Sequence, residues 1–484
     1  MHWELADIAQ CIGARLLGED TAGTVAIDGV ATDSRVDCAG KLFVALAGEK
    51  FDAHDYLEMA VRQGAAALLV SRAEKLPEGV PALLVADTRL ALGALAAAWR
   101  SFFSLPLIAL TGSNGKTTSK EMIARILEAA YEKTAEQTAE TAAEQTTEQP
   151  TKQAAEQSAV LATSGNFNND VGLPLTLLKL RPEHRAAVIE MGMSHPGEIA
   201  VLGRIARPTV ALVTNAGHAH LEGMANLGAV AAEKGTIYAS LPEDGLAVIN
   251  EDDPYADFWR GLNRNRRVVG FSLHGKGEVN GTAEMRGLCT HLRITHHGWS
   301  VEVSLAVPGL HNAMNALAAA AAAEGALAGQ VDRVAEVVRR GLTSFAGVKG
   351  RLQARPLAGG ATLLDDTYNA NPDSVRAGID VLASTIGKKL LVLGDMGEIG
   401  QSSAQFHDEI GGYAKSMGID RLYTLGENSQ QAARNFGEGA RHFPTPEALV
   451  AALRKDLTAN ATVLVKGSRF MRMERVVELL GEKD

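Results

Sequence analysis

The stretch Leu110-Thr-Gly-Ser-Asn-Gly-Lys-Thr-Thr118 constrains this chain more than any other. An apolar run, Leu105 to Leu110, enters it, and a helical pattern leaves it with Met122, Ile123, Ile126 and Leu127 on one face. Strand, glycine-rich turn and helix in that order bring backbone N–H groups and a helix dipole to bear on one anion. In such a loop Lys116 can reach the β- and γ-phosphates of a nucleotide, and the Thr117 hydroxyl can sit on Mg²⁺. The match to the full phosphate-loop pattern lacks its first glycine, because position 110 is leucine. The strand before and the helix after still point to a nucleotide site.

A strand that feeds a phosphate loop belongs to a parallel sheet, and the chain keeps that rhythm. Near-continuous apolar runs at Leu105–Leu110, Ala186–Ile189, Val210–Val213 and Leu246–Ile249 are separated by helical stretches. Runs of this kind indicate strands covered on both faces, with ligands beyond their carboxyl ends. From about Gly347 the pattern repeats at Ala361–Leu364, Lys389–Leu393, Arg421–Leu425 and Thr462–Val465, which predicts a separate α/β domain. Before Leu105, strand-like runs (Gly40 to Leu46, Ala66 to Val70, Ala82 to Ala86) alternate with helical ones such as Asp55 to Gln63. With 484 residues the chain is too long for a single core. The expected fold is α/β in three domains. These are a small N-terminal substrate domain (1–104), a central parallel-sheet phosphate-loop ATPase domain (105–346) and a C-terminal Rossmann-like domain (347–484). Within the second, residues 130–160 form a low-complexity insert, with Glu132, Glu136, Glu140, Glu144 and Glu148 spaced four apart among Thr, Ala and Gln. Like charges one helical turn apart repel, and alanine is the only apolar residue between Tyr131 and Val160, so a solvated extension of the preceding helix running into a loop is expected.

Composition removes other classes. A formal charge of -10 argues against a broad nucleic-acid surface. Three scattered cysteines, Cys11, Cys38 and Cys289, suggest neither a zinc site nor a disulfide framework and fit a reducing compartment. The opening residues lack a signal-peptide pattern, and the longest apolar stretch, Ala316 to Ala323, is too short and weakly hydrophobic to span a bilayer. A soluble cytoplasmic protein that acts on small molecules, a monomer without membrane insertion, is expected.

Polar residues follow several of these strands. Glu190 ends the run Arg185-Ala-Ala-Val-Ile-Glu, where a carboxylate could meet Mg²⁺ near the phosphates. His218 and His220 lie in Thr214-Asn-Ala-Gly-His-Ala-His, and the residues alone do not say which of them faces the site. His311-Asn-Ala-Met-Asn-Ala opens an alanine-rich helix, and Leu364-Asp-Asp-Thr-Tyr-Asn-Ala-Asn-Pro372 reads as a strand ending in an Asn/Pro turn.

Taken in order, these segments resemble the Mur ligases of bacterial cell-wall synthesis over nearly the whole chain, the insert apart. The likeness is carried by Thr32-Asp-Ser-Arg35, Lys41 to Leu46, Gly165-Asn-Phe-Asn-Asn-Asp-Val-Gly172, Glu190-Met-Gly-Met-Ser, Asp365 to Pro372 and Leu393-Gly-Asp-Met-Gly-Glu398. The phosphate loop and the Asn/His helix are shared more widely, folylpolyglutamate synthetases included. The resemblance implies ATP held by Gly112, Ser113, Asn114, Gly115, Lys116, Thr117 and Thr118, with Asn315, Arg351 and Asp366 contacting the nucleotide. It places Ser34 and Arg35 near a uridine diphosphate, and Asn168, Asn169 and Asp170 near the sugar and pyrophosphate. Asn369 and Asn371 would stand near the incoming amine. Thr117, Glu190 and His218 would surround Mg²⁺, and Lys234 stands where family members carry a carbamylated lysine, which would make it an anionic metal ligand. Lys116, Glu190, His218 and Lys234 are then the expected catalytic set.

The activity so implied is an ATP-dependent amide ligation through an acyl phosphate, joining D-alanyl-D-alanine to a UDP-muramoyl tripeptide. The alternatives are a sister ligase, a folylpolyglutamate-type ligase, and a nucleotide-binding regulator without ligase activity. Two features depart from the family: Asp52-Ala53-His54 replaces the usual Asp-Gly-His, and the insert is unusual.

Overall fold

The strand that enters the phosphate loop, Leu107–Thr111, is fully buried and sits inside a sheet rather than at its edge. The structure, a computed structural model, describes residues 2–48, 51–132, 158–218, 222–224, 226–327 and 333–481. Most of the insert (133–157) and His220 lie outside the described residues.

On either side of Leu107–Thr111 run the parallel strands Ala186–Glu190 and Val210–Val213. Register pairs Glu190 with Leu110 and Val213 with Thr111, so all three strands end at one level. Their exit loops therefore meet along one edge, as the geometry of parallel sheets requires. The sheet continues through Leu246–Asn250 and Arg267–Ser272 on one side and ends at Val160–Ala162 on the other.

Helix Lys116–Tyr131 buries Met122, Ile123, Ile126 and Leu127 against this sheet. Helix Leu310–Ala326 lies beside it, with every residue from Ala316 to Ala323 buried. Alanine lets the two helices and the sheet approach closely. A Cβ at Gly341, on helix Val334–Ser344, would collide with the Ile126 backbone, which marks another tight crossing.

In one respect this sheet departs from the expected parallel pattern. Val279–Arg286, Cys289–His296 and Trp299–Leu305 extend it, and the last two pair antiparallel, giving nine strands among the described residues. Gly287 (φ 62°) and Gly298 (φ 97°) sit at the tight turns between them, where positive φ favours glycine. Leu292 and Ile294, then Val301, Val303 and Leu305, are buried at alternate positions, the two-residue period of a one-sided sheet.

The first block carries a five-stranded sheet in the order Arg15–Leu17, Ala82–Leu84, Ala67–Val70, Leu42–Val44, Val30–Ala31. The Arg100 guanidinium ties its last helix, Thr88–Arg100, to the backbone oxygens of Phe103, Leu105 and Ala206. The last block carries a six-stranded sheet in which Thr362–Asp366, Thr462–Lys466, Lys389–Gly394, Arg421–Leu425 and Ala440–Phe443 are parallel. Gln353–Pro356 pairs antiparallel to its edge. Among the described residues no helix is long and apolar enough to cross a membrane.

Candidate active site

The loop after Leu107–Thr111 turns through Gly112 (φ 155°) and Gly115 (φ 81°) into helix Lys116–Tyr131. Glycine is needed at both positions for reasons of space as well as φ. A Cβ at Gly112 would strike the Thr214 hydroxyl, and one at Gly115 the Asn315 amide. Lys116 folds back so that its ammonium donates to the Gly112 carbonyl at 2.6 Å.

The next strand's exit loop braces the bend. The Asn114 N–H donates to Asn215 Oδ1 (2.9 Å), while the Thr214 hydroxyl (2.7 Å) and Asn215 amide (3.1 Å) donate to the Asn114 carbonyl. Ser113 exchanges hydrogen bonds with Gly217, donating to its carbonyl (3.0 Å) and accepting from its N–H (2.8 Å). Behind the loop, Asn315 Oδ1 accepts from the Ser119 hydroxyl at 3.3 Å. Backbone donors are thus held in place before any ligand arrives.

Glu190 closes the opposite wall. Its Oε1 accepts from the Asn168 amide at 2.9 Å, and its N–H donates to Thr163 Oγ1 at 3.0 Å. Oε2 is buried and has no hydrogen-bond partner. Leaving such an oxygen unpaired costs on the order of 1–3 kcal/mol or more, so it marks a place where a cation or donor belongs. Among the described residues no group of three or more His, Cys, Asp or Glu side chains could hold a metal ion alone. A hard cation here would use one or two oxygen ligands and complete its shell with phosphate, which is how Mg²⁺ is commonly bound beside nucleotides. Thr117 Oγ1 and Glu190 Oε2 fit that donor set.

Burial pushes the Lys116 ammonium below its ordinary range; Glu190 and Glu398 oppose this and Arg351 adds to it. Lys234, buried on helix Leu227–Gly235, is pushed well below the ordinary lysine range by burial first and by the charge of Lys116 second. Both effects disfavour the charged form of the amine.

The C-terminal block supplies the roof of a cleft of about 1610 Å³. The Arg351 guanidinium lies 4.3 Å from the Tyr368 ring centroid and donates to the Thr117 hydroxyl at 3.1 Å. The Asn371 amide donates to Asn114 Oδ1 at 2.8 Å. Asp366 and Lys466 are paired in register on adjacent strands, and the Lys466 ammonium donates to Asp366 Oδ2 at 2.6 Å and to the Asn369 carbonyl at 2.9 Å. His311 lies in the cleft wall, its imidazole pulled down to about 4 by burial.

Most of the residues singled out in the sequence converge on this cleft. Ser113, Asn114, Gly115, Lys116, Thr118, Asn168, Asn169, Asp170, Glu190, His218, Asn315, Arg351, Asp366, Asn369 and Asn371 line it, and Gly112 and Thr117 belong to the same loop. His218 points its Nδ1 at Asp373 of the C-terminal block. Ser34 and Arg35 are not part of this cleft. The Ser34 hydroxyl is buried against Met59 Sδ (3.6 Å), and Arg35 is exposed and paired with Asp33 (2.7 Å). The first block reaches the cleft through Arg89 instead, whose guanidinium lies 3.1 Å from Asp170.

Sequence reasoning missed Arg89, Thr214, Asn215, Asp373 and Lys466. Thr214, Asn215 and Lys466 were within reach, because each ends or directly follows an apolar run. Arg89 carries no local signal.

Comparison with known proteins identifies the family. Family models described as Mur ligase family, catalytic domain (residues 26–100), Mur ligase middle domain (110–323) and Mur ligase, glutamate ligase domain (350–469) match the chain. It is 40% identical to the UDP-N-acetylmuramoyl-tripeptide--D-alanyl-D-alanine ligase of Escherichia coli (strain K12), covering 99% of this chain and 98% of that one. Identity to the enzyme of the same name from Haemophilus influenzae is 39%, with 98% of each chain covered. Among solved structures, MurF from Acinetobacter baumannii superposes with a TM-score of 0.86 at 32% identity over 100% of this chain and 99% of that one. MurF from Thermotoga maritima, solved in complex with ADP, superposes with a TM-score of 0.77 at 27% identity over 94% of this chain and 97% of that one. From the phosphate loop to the roof of the cleft, this chain belongs to the Mur ligase family.

Proposed function

We infer that the chain is an ATP-dependent ligase that joins D-alanyl-D-alanine to UDP-N-acetylmuramoyl-tripeptide, giving the UDP-muramoyl-pentapeptide precursor of peptidoglycan. The observation that carries this reading is the single cleft in which the braced loop around Lys116 faces Glu190 on one side and Arg351 and Asn371 on the other. Full-length likeness to ligases of that name supplies the identity of the two substrates.

In the proposed reaction the terminal carboxylate of the tripeptide attacks the γ-phosphorus of ATP, and the bond to the ADP oxygen breaks. The dipeptide amine then attacks the acyl carbon, loses a proton and expels inorganic phosphate. Both partners of the first step are anions, so the site must offset charge where they meet. Lys116 and the N–H groups of Gly112 to Thr118 do so at the phosphates, and Arg351 adds a positive charge from the roof. Thr117 and Glu190 would hold Mg²⁺, which when bound would supply further charge neutralisation at the phosphate oxygens.

Lys234, whose burial and the nearby charge of Lys116 disfavour the ammonium form, is suited to react with CO₂, and the resulting carbamate would extend the oxygen donor set. Asn168, Asn169 and Asp170, tied to the first block through Arg89, are placed to orient the UDP-linked acceptor. Ser34 and Arg35, outside the cleft, would meet its uridine end. Asn369, Asn371 and Asp366 line the roof where the dipeptide and nucleotide meet. Water would hydrolyse an acyl phosphate, and a roof that excludes it protects the intermediate.

A monomer is the proposed working unit, since every group invoked here belongs to the same chain. The nucleotide substrates, ATP and a UDP-linked sugar, support a cytoplasmic location.

The test is phosphate release with the UDP-tripeptide, with and without D-alanyl-D-alanine, combined with product mass. The reading requires both substrates for turnover and a product of pentapeptide mass. ADP release indifferent to the dipeptide, or product formed only with glutamate, would overturn it.

A further inference from the structure

One contact between the blocks grips a main chain as well as a side chain. Asp373 stands in the first turn of helix Pro372–Ala383. Its Oδ2 accepts from the His218 backbone N–H at 2.7 Å, and both carboxylate oxygens lie 3.1 Å from His218 Nδ1. Phe406, also of the C-terminal block, packs edge-on to the imidazole with centroids 5.6 Å apart. The carboxylate comes so close that a Cβ on the neighbouring Gly217 would stand 2.6 Å from Oδ2. Gly217 is the residue that exchanges two hydrogen bonds with Ser113 of the phosphate loop. The grip of Asp373 is thus one residue removed from the nucleotide cradle.

We propose that Asp373 is a positioning residue. Its double hold on His218 latches the C-terminal block over the phosphate loop and sets the fraction of molecules in which the dipeptide site is assembled. The latch rests on the ligase reading above and adds to it the element that governs closure. A carboxylate accepts, so the contact turns Nδ1–H of His218 toward Asp373 and fixes the ring's orientation. Asn371 to Asn114 and Arg351 to Thr117 join the same two blocks, but each is a single side-chain contact made directly on the loop. Asp373 instead holds the loop's neighbour, so it can influence closure without touching phosphate.

A ligand that needs the closed state has its apparent affinity reduced by the fraction of molecules that are closed. Asp373→Ala should therefore raise the KM for D-alanyl-D-alanine about tenfold. At saturating dipeptide kcat should stay within about threefold, because bound dipeptide restores closure, and affinity for the UDP-tripeptide should not change. Asp373→Asn keeps an oxygen that can accept from the His218 backbone N–H and should give a smaller rise.

A fall in kcat with KM unchanged would overturn the latch, as would a larger rise for Asp373→Asn than for Asp373→Ala. Small-angle scattering with a non-hydrolysable ATP analogue and UDP-tripeptide gives a second measurement that needs no turnover. Wild type should compact and Asp373→Ala should remain more extended; equal compaction would refute the proposal. Failure of wild type itself to form product would count against the ligase reading, with the scattering comparison still deciding the latch.

Discussion

The floor and the roof of the cleft are built differently. The floor, Gly112 to Thr118, is cross-braced by Thr214, Asn215, Gly217 and Asn315, largely through backbone groups. The roof meets it through a few side chains, Arg351 and Asn371 on the loop itself and Asp373 on the neighbouring His218. A surface held by its own backbone is pre-formed, whereas one held by a few exposed contacts can open. The cleft thus pairs a pre-formed phosphate cradle with a wall held by fewer contacts, the arrangement the proposed latch needs to admit three substrates and then exclude water.

Changes to the floor should act on chemistry and on nucleotide binding together. Lys116→Ala should lower kcat by about 10³-fold, since one preorganised charge at a phosphoryl centre is worth that much. Steady-state kinetics checks it, and full activity in the variant would dissolve the distinction between floor and roof. Gly115→Ala should weaken ATP binding by about tenfold or more, because φ 81° strains any side chain and the new methyl meets the Asn315 amide. Calorimetric titration with an ATP analogue reads that loss. Arg351→Ala, on the roof, should raise the KM for ATP by about tenfold with a smaller effect on folding stability.

Lys234, on helix Leu227–Gly235 outside the phosphate loop, gives a pH-dependent contrast. Its folded pKa lies below the unfolded value, so between the two the unfolded chain binds more protons, and stability rises with pH. Lys234→Met should remove that cost at neutral pH and raise the unfolding temperature by roughly 2–4 °C, the scale of about 1 kcal/mol in a domain of this size. Activity should be lost in the same variant, and the stabilisation should fade as pH approaches the unfolded lysine range. A lower unfolding temperature at neutral pH would refute the burial argument. The smallest effect is expected from deleting residues 133–157, which should leave kcat within about twofold.

Much of the floor was legible in the sequence because its residues are consecutive. Strand, glycine turn, Lys116 and helix declare themselves within Leu105 to Leu127. Glu190 was visible for the same reason, as a carboxylate ending an apolar run. The antiparallel ribbons of residues 279–305 were not anticipated, although Leu292, Ile294, Val301, Val303 and Leu305 alternate and Gly287 and Gly298 mark the turns. That signal was overlooked beside stronger parallel ones. Arg89, which meets Asp170, and Asp373, which meets His218, were beyond reach. Each is an ordinary charged residue near a helix start, and only the packing of separate blocks gives it a partner.

The central claim is that a bound carboxylate captures the terminal phosphate of ATP before the amine arrives. Labelling the terminal carboxylate of the UDP-tripeptide with ¹⁸O and analysing the phosphate released on addition of D-alanyl-D-alanine tests it directly. An acyl phosphate transfers one labelled oxygen, so the phosphate should carry a single ¹⁸O. Product formed with unlabelled phosphate would contradict the account.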